Sequence, residues 1–184
     1  TKKQAFKLKK LVKFLKNLND IPIGIQISHA GRKGSSELPW VKFDTPLRKK
    51  EGWQTFSASS LKKDSGWPIP KKLSKNKISK IINDFKKATI KSNNANFDLL
   101  EVHMAHGYLL HQFLSPISNM RNDEYGSSKE GRLKFPLEIA RIVRKFWPKN
   151  KILGARITAI DHLKNGLSID DSIKLCKKLD KIGF

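Results

Sequence analysis

The chain has 184 residues, of which 38% are hydrophobic, and this is enough to build one globular domain with a core of ordinary size. Its 38 Lys and Arg against 16 Asp and Glu give a formal charge of +22. The lysines lie along almost every predicted helix, and the sequence has no zinc-finger or helix-turn-helix pattern and no aromatic platform. We therefore expect no specific nucleic-acid partner. The single cysteine excludes an internal disulfide framework, and no apolar run approaches the roughly 20 residues that span a bilayer, so we expect a cytoplasmic protein without a membrane partner.

The first third of the chain predicts a helix, a strand and a long loop. Apolar residues recur at helical spacing over residues 5–19, which indicates an amphipathic helix: Leu8, Leu11, Val12, Leu15 and Leu18. The β-branched run over residues 21–27 predicts a strand that is buried on both faces, as parallel strands are. Residues 28–73 are rich in Gly, Pro, Ser and Trp, so we predict a long functional loop whose tryptophans pack onto the body of the domain.

The remainder of the chain alternates helices with strands. Ser74 is a predicted N-cap, and the helix after it has an apolar face of Ile78, Ile81, Ile82, Phe85 and Ala88. Asn96 suits a left-handed helix end, residues 97–103 predict a second strand, and an irregular stretch follows it. A third helix is predicted from about Phe135 to Phe146 and a third strand over residues 152–158. Ser168 opens the last helix, whose predicted apolar face is Ile169, Ile173, Cys176 and Leu179, with Cys176 as a small core residue.

This alternation predicts an α/β fold with a parallel sheet. A doubly wound sheet and an eight-stranded barrel both fit the pattern, but no Gly-x-Gly-x-x-Gly fingerprint or P-loop follows a predicted strand. Polar residues at the carboxyl ends of several strands favour a partial (β/α)8 TIM barrel. Because the chain begins at Thr1 and stops just after a helix, we expect a single incomplete barrel domain, an internal piece of a longer protein.

The densest group of chemically capable side chains is His103-Met-Ala-His106-Gly-Tyr108, just where a strand gives way to its loop. A zinc site with His111 as a third ligand is one interpretation, but the histidines are not spaced as on a metalloprotease helix and no carboxylate completes the set, so we predict no metal. Histidines held in a polar turn are a second interpretation. In the third, imidazole N–H groups bind a substrate oxygen that gains negative charge while the phenol transfers a proton.

Three segments make the third interpretation specific. They are Ile25-Gln-Ile-Ser-His-Ala-Gly-Arg-Lys33, then Phe97 through Pro116 with Glu-Val-His-Met-Ala-His-Gly-Tyr-Leu-Leu-His-Gln-Phe at its centre, and then Ser118-Asn-Met-Arg-Asn-Asp-Glu-Tyr-Gly126. In this order the chain resembles the old yellow enzyme family, in particular its xenobiotic reductases and NADPH dehydrogenases. The resemblance covers essentially the whole chain.

The resemblance implies a (β/α)8 barrel of which this chain holds about strands three to five, an FMN cofactor, and NADPH or NADH as electron donor. It implies reduction of the activated C=C bond of an α,β-unsaturated carbonyl or nitro compound, and a homo-oligomer at full length. His103 and His106 would bind the activating oxygen, and Tyr108 would donate the proton. Gln26 and Arg156 match positions that bind the flavin pyrimidine edge.

Two further expectations concern a loop motif and the binding of FMN. The recurrent loop motif containing Arg121, Asp123, Tyr125 and Arg132 is interpreted as loop architecture rather than catalysis. Because barrel phosphate sites usually come from the loops after strands seven and eight, we predict that the 184 residues alone do not bind FMN. The alternative function is a basic nucleic-acid-binding protein or a catalytically silent barrel relative.

Overall fold

A computed structural model describes residues 1–48 and 50–184 of the chain. The helices are α1 (Lys2–Leu18), α2 (Lys75–Asn94), α3 (Leu109–Leu114), α4 (Lys129–Phe146) and α5 (Ile169–Asp180). The strands are β1 (Gly24–Ile27), β2 (Phe56–Ser57), β3 (Lys71–Lys72), β4 (Leu99–Met104) and β5 (Ile152–Ile157).

The main sheet has three parallel strands in the order β1-β4-β5. Gln26 lies opposite Glu101 in the register of β1 and β4, and His103 lies opposite Arg156 in that of β4 and β5. Helices carry the chain from one strand to the next, with α2 before β4 and α4 before β5. All strand ends that share a direction therefore meet at one edge of the sheet, as predicted for an α/β fold.

The core lies between this sheet and the helices. Leu100, Val102 and Met104 on β4 are fully buried and belong to the same apolar cluster as Ile78 on α2 and Ile139 on α4. Alternate strand residues point to the opposite face, which the described helices do not cover. The prediction that the first strand is buried on both faces was therefore wrong, since Gly24 and Gln26 are exposed.

The predicted helix boundaries depend on caps that the structure contains. The Ser74 hydroxyl accepts the N–H of Lys77, and Ser168 forms a capping box with Asp171. Asn96 has a φ of 68°, the left-handed conformation expected after α2. Trp147 ends α4, and its indole N–H donates to the carbonyl of Ile152 at 3.0 Å, which ties the helix end to the start of β5.

Two predictions about helices were wrong. The stretch after β4 is not irregular, because α3 lies there. All six of its residues are buried, including the polar His111 and Gln112, so its polar positions do not mark an exposed face. In α5, the buried stripe is Ser172, Leu175 and Leu179, whereas Ile169, Ile173 and Cys176 are exposed. The helix has two apolar stripes, and the Ser172 hydroxyl, which donates to the Ala159 carbonyl at 2.7 Å, turns the other stripe inward.

The segment over residues 28–73 contains a 3₁₀ turn at Gly31–Lys33 and the short parallel pair of β2 and β3. Only one of the tryptophans in this segment packs inside: Trp67 is 7% exposed, while Trp40 and Trp53 are 80% and 60% exposed. Ala58 and Leu73 of the segment also belong to the hydrophobic core, and polar groups of the body bind the segment as well. Arg121 donates to the carbonyls of Ala58 and Leu73, at 2.9 and 2.8 Å.

Candidate active site

Four polar side chains lie on the open face of the sheet, on the side away from the helices. Gln26, Glu101, His103 and Arg156 share this face because each pair occupies matched register positions on neighbouring parallel strands. The Gln26 amide N–H donates to the Glu101 carboxylate. The structure thus places the two predicted cofactor residues, Gln26 and Arg156, on either side of the strand that carries His103.

His103 and His106 face each other at the carboxyl end of β4. The Nδ1 atom of His103 accepts the N–H of Ala105 at 3.1 Å, which assigns the proton of the neutral ring to Nε2. That Nε2 lies 3.3 Å from Nδ1 of His106, so the proton of the neutral His106 ring belongs on Nε2. With these tautomers the His103 N–H points to His106, and the His106 Nε2–H is the N–H of the pair that is not used within it.

Burial lowers the pKa of one member of this pair, His103. The pKa of His103 lies below its ordinary value because burial disfavours the imidazolium, and the nearby His106 and Arg156 act in the same direction. The Glu101 carboxylate opposes them and does not reverse the shift. His103 is therefore neutral around neutral pH. A neutral ring can accept the backbone N–H through Nδ1 and still donate its Nε2 proton to a developing oxyanion.

The turn after His103 has two successive residues in the left-handed conformation, His106 at a φ of 57° and Gly107 at 70°. Side chains bind all four of its backbone polar groups. For His106, Thr158 accepts the N–H at 2.9 Å and Lys33 donates to the carbonyl at 2.7 Å. For Gly107, His111 accepts the N–H at 2.8 Å and Gln112 donates to the carbonyl at 2.6 Å. We call these four side chains the turn cradle.

The turn cradle was not predicted from the sequence. Lys33 and Gln112 lie in the quoted motifs, but nothing in those motifs indicates what they contact, and His111 was considered only as a metal ligand. The Nε2 atom of His111 also lies 3.0 Å from a carboxylate oxygen of Asp161, in the segment after β5. The pKa of His111 is lowered by burial, against the pull of Asp161.

Tyr108 follows the turn directly and is the N-cap residue of α3. Its ring meets the His103 ring edge to face, with the centroids 4.9 Å apart. The Lys33 ammonium lies 5.7 Å from the Tyr108 ring centroid. All three side chains predicted for substrate binding, His103, His106 and Tyr108, are therefore in one cluster.

The open face has the chemistry that a flavin ring requires. The Arg156 side chain is exposed there and forms no hydrogen bond or ion pair within residues 1–48 and 50–184. A side chain added at Gly154, two residues before it on the same face, would meet nothing within 4 Å. A guanidinium and an amide beside open space suit the carbonyl and N–H edge of a flavin pyrimidine, so these residues fit FMN.

The described part of the chain contains neither a metal-ligand group nor a membrane-spanning helix. No three His, Cys, Asp or Glu side chains there are grouped as a metal ion would require. No helix among the same residues is long and apolar enough to cross a bilayer.

Parallel strands joined by helices, with polar residues at the carboxyl ends of the strands, are the arrangement found in part of a (β/α)8 barrel, and the solved structures that the chain resembles have this fold. The model of the NADH:flavin oxidoreductase / NADH oxidase family matches residues 1–183. The chain belongs to this family, and the predicted resemblance to old yellow enzyme is confirmed.

Individual relatives agree. An NADH:flavin oxidoreductase of Gibberella zeae is 43% identical over 143 residues, which are 76% of this chain and 35% of the relative. An NADPH dehydrogenase of Clostridium acetobutylicum is 41% identical over 164 residues, 88% of this chain and 43% of the relative. The structure of morphinone reductase in complex with tetrahydroNAD superimposes with a TM-score of 0.83 at 26% identity, covering 100% of this chain and 52% of that one. The chain thus spans about half or less of the length of these relatives.

Proposed function

We propose that the full-length protein, meaning this chain with the sequence that flanks it in its open reading frame, is an FMN-dependent ene-reductase. It passes hydride from NADPH or NADH through flavin to the activated C=C bond of an α,β-unsaturated carbonyl or nitro compound. The observation that carries this proposal is the position of His103, His106 and Tyr108. They form one cluster at a strand end, beside the face that carries Gln26 and Arg156.

In this proposal the two histidines bind the oxygen of the substrate. The two rings donate N–H groups toward a carbonyl or nitro oxygen, on which negative charge accumulates as hydride reaches the β-carbon. The turn cradle holds His106 by both of its backbone polar groups, so the position of its ring is set before substrate binds. Such preorganisation is what makes hydrogen-bond donors effective at a developing charge.

Tyr108 is proposed to donate the proton that completes the reduction. Its phenol follows the histidine pair by two residues, and its ring is packed against His103, which directs it to the same substrate. When its O–H bond breaks, the proton forms a C–H bond at the α-carbon of the substrate and the electron pair stays on the phenolate oxygen.

Gln26 and Arg156 are proposed to hold the pyrimidine edge of FMN. When bound, FMN supplies the chemistry of accepting hydride from the nicotinamide and passing it on. The fixed positive charge of Arg156 favours a cofactor that becomes more negative on reduction. Gln26 keeps its amide oxygen free to accept a hydrogen bond, because it binds Glu101 through nitrogen.

The test is to purify the full-length protein and the 184-residue chain separately. We expect the full-length protein to carry flavin that is bleached by NADPH or NADH without oxygen and is reoxidised by 2-cyclohexenone. We expect the shorter chain to retain no stoichiometric flavin. A full-length protein without flavin that binds DNA strongly at low salt would instead support the nucleic-acid alternative, and bound flavin that no enone reoxidises would support a silent relative.

The role of Tyr108 is tested by Tyr108→Phe in the full-length protein. We expect reoxidation by the enone to slow by roughly 10²- to 10⁴-fold, the usual contribution of a positioned general acid. Tyr125→Phe is the matched control, because this hydroxyl contacts Glu138 on α4, outside the cluster. Unchanged reoxidation in Tyr108→Phe would remove this residue as proton donor.

A further inference from the structure

Lys33 reaches the cluster from a different part of the chain than the histidines and tyrosine do. It ends the 3₁₀ turn Gly31–Lys33 that follows β1, and its ammonium donates to the carbonyl of His106, 73 positions away, at 2.7 Å. Its side chain also runs along the turn: a Cβ added at Gly107 would lie 3.2 Å from Cε of Lys33. Lys33 is thus packed onto the link between His106 and Tyr108.

The ammonium has capacity beyond that hydrogen bond. A lysine carries three N–H donors, and the bond to His106 is the only one that Lys33 makes within residues 1–48 and 50–184. The other two N–H donors are therefore unused within these residues, and the positively charged Nζ that carries them lies 5.7 Å from the Tyr108 ring centroid. Lys33 is the member of the turn cradle that brings a positive charge. The others contribute a hydroxyl, an amide and an imidazole whose pKa is lowered.

We propose that Lys33 is a positioning residue that acts through Tyr108, stabilising the phenolate left when the phenol gives its proton to the substrate. This inference rests on the proposed function. The O–H bond of Tyr108 breaks, its proton forms the new C–H bond at the α-carbon, and the negative charge that remains on the phenolate is attracted by the ammonium. Solvent then returns a proton to the phenolate, and Lys33 keeps its own protons throughout.

Physical reasons favour this role over a purely structural one. The Lys33 ammonium lies over the Tyr108 ring, 5.7 Å from the centre of the phenol that gains negative charge. At the intermediate dielectric of a partly buried site, an opposite charge at such a separation alters a rate by about tenfold or more. The carbonyl of His106 does not need a cation, because an amide donor such as Gln112 serves the neighbouring Gly107. The cost of placing an ammonium there is visible in Lys33, whose pKa is lowered by burial and by the nearby Lys63.

The experiment first compares four single variants of the full-length enzyme in its reoxidation by 2-cyclohexenone, and Tyr108→Phe, Thr158→Val and one double variant are then added. Lys33→Gln keeps an amide donor for the turn and removes the charge, and Lys33→Met removes both. Lys33→Arg keeps the charge. Lys63→Met is the control, because it deletes a neighbouring cation that is paired with Asp44 and packed over Trp67. Thermal midpoints and flavin content show which variants are folded.

We expect Lys33→Gln and Lys33→Met to slow reoxidation by about tenfold or more and to raise its solvent deuterium isotope effect, because proton transfer becomes the slower event. Lys33→Arg should recover most of the rate, and Lys63→Met should stay within about twofold of the wild type. The decisive variant combines Lys33→Gln with Tyr108→Phe. It should be no slower than Tyr108→Phe alone, because the charge acts only through the phenol.

Other results would overturn the proposal. If Lys33→Gln slows the reaction as much in the Tyr108→Phe background as in the wild type, Lys33 acts on the turn and not on the phenol. If Thr158→Val, which loosens the same turn without removing a charge, reproduces both the slowing and the isotope effect, the charge is irrelevant. If Tyr108→Phe itself has no effect, the proton-donor role fails first and the inference fails with it. A slow Tyr108→Phe beside a fully active Lys33→Gln would reject Lys33 alone.

Discussion

Arg121 holds the long segment after β1 against the body of the domain, and replacing it with Met removes that attachment. Its side chain is 2% exposed. One end of the guanidinium donates to the carbonyls of Ala58 and Leu73, and the other forms a bidentate pair with Asp123 at 2.9 and 2.6 Å. The group also lies 5.6 Å from the Phe113 ring centroid. Methionine would fill much of this space but satisfy none of these acceptors.

The expected loss of stability follows from what remains behind. Breaking a buried ion pair by removing one partner typically costs about 3–5 kcal/mol. Asp123 is 23% exposed, so water recovers part of its loss, but two carbonyl oxygens lose charged donors worth about 1.5–3 kcal/mol each. We therefore expect Arg121→Met to lower the free energy of unfolding by about 3–5 kcal/mol.

Urea unfolding of the full-length protein, followed by tryptophan fluorescence and by circular dichroism, measures this loss. Arg141→Met is the matched control, because Arg141 is exposed on α4 and should change stability by less than about 0.5 kcal/mol. Arg121→Lys should be intermediate, because one ammonium cannot serve both carbonyls and the carboxylate. A loss below about 1 kcal/mol in Arg121→Met would refute the argument that this side chain secures the segment.

The remaining predictions concern the turn and its histidines. Asp161→Asn should cost about 2–3 kcal/mol in urea, because the carboxylate accepts hydrogen bonds from Ser115 and from the N–H of Leu167. It should also speed hydrogen exchange of the Gly107 amide, because the carboxylate lies 3.0 Å from the His111 ring that accepts this N–H; unchanged exchange would contradict it. Gly107→Ala should lower stability by about 1–2 kcal/mol, since φ is +70° and the added Cβ meets a lysine side chain at 3.2 Å, and an unchanged thermal midpoint would count against this strain. The pKa values of His29, His103 and His111 all lie below 6.5 through burial, so the unfolded chain binds more protons. Their contribution to stability is complete above about pH 6.5 and is lost as the pH falls through the pKa values of the folded protein. A thermal midpoint that increases as the pH is lowered from about 6.5 to 5 would contradict this sign.

The order of helices and strands could be predicted because it depends on local patterns. Ser74 and Ser168 cap the starts of their helices with their own hydroxyls, and Asn96 tolerates the left-handed conformation after α2. The helix α3 could not be predicted in this way, because it has only six residues and buries the polar His111 and Gln112 together with the apolar ones, so hydrophobic periodicity does not reveal it. The orientation of α5 was missed for a related reason: with two apolar stripes, only packing against the neighbouring elements, α4 among them, selects one.

The sequence by itself determined the family and the position of His103, His106 and Tyr108 at a strand end, since these three lie within a single short motif. Only the tertiary structure decided what surrounds them. Thr158 and Lys33 bind the turn from 52 and 73 positions away along the chain, and no periodicity or motif encodes contacts at such separations. They arise because parallel strands bring the carboxyl ends of β1, β4 and β5 to one edge, where side chains distant in sequence become neighbours.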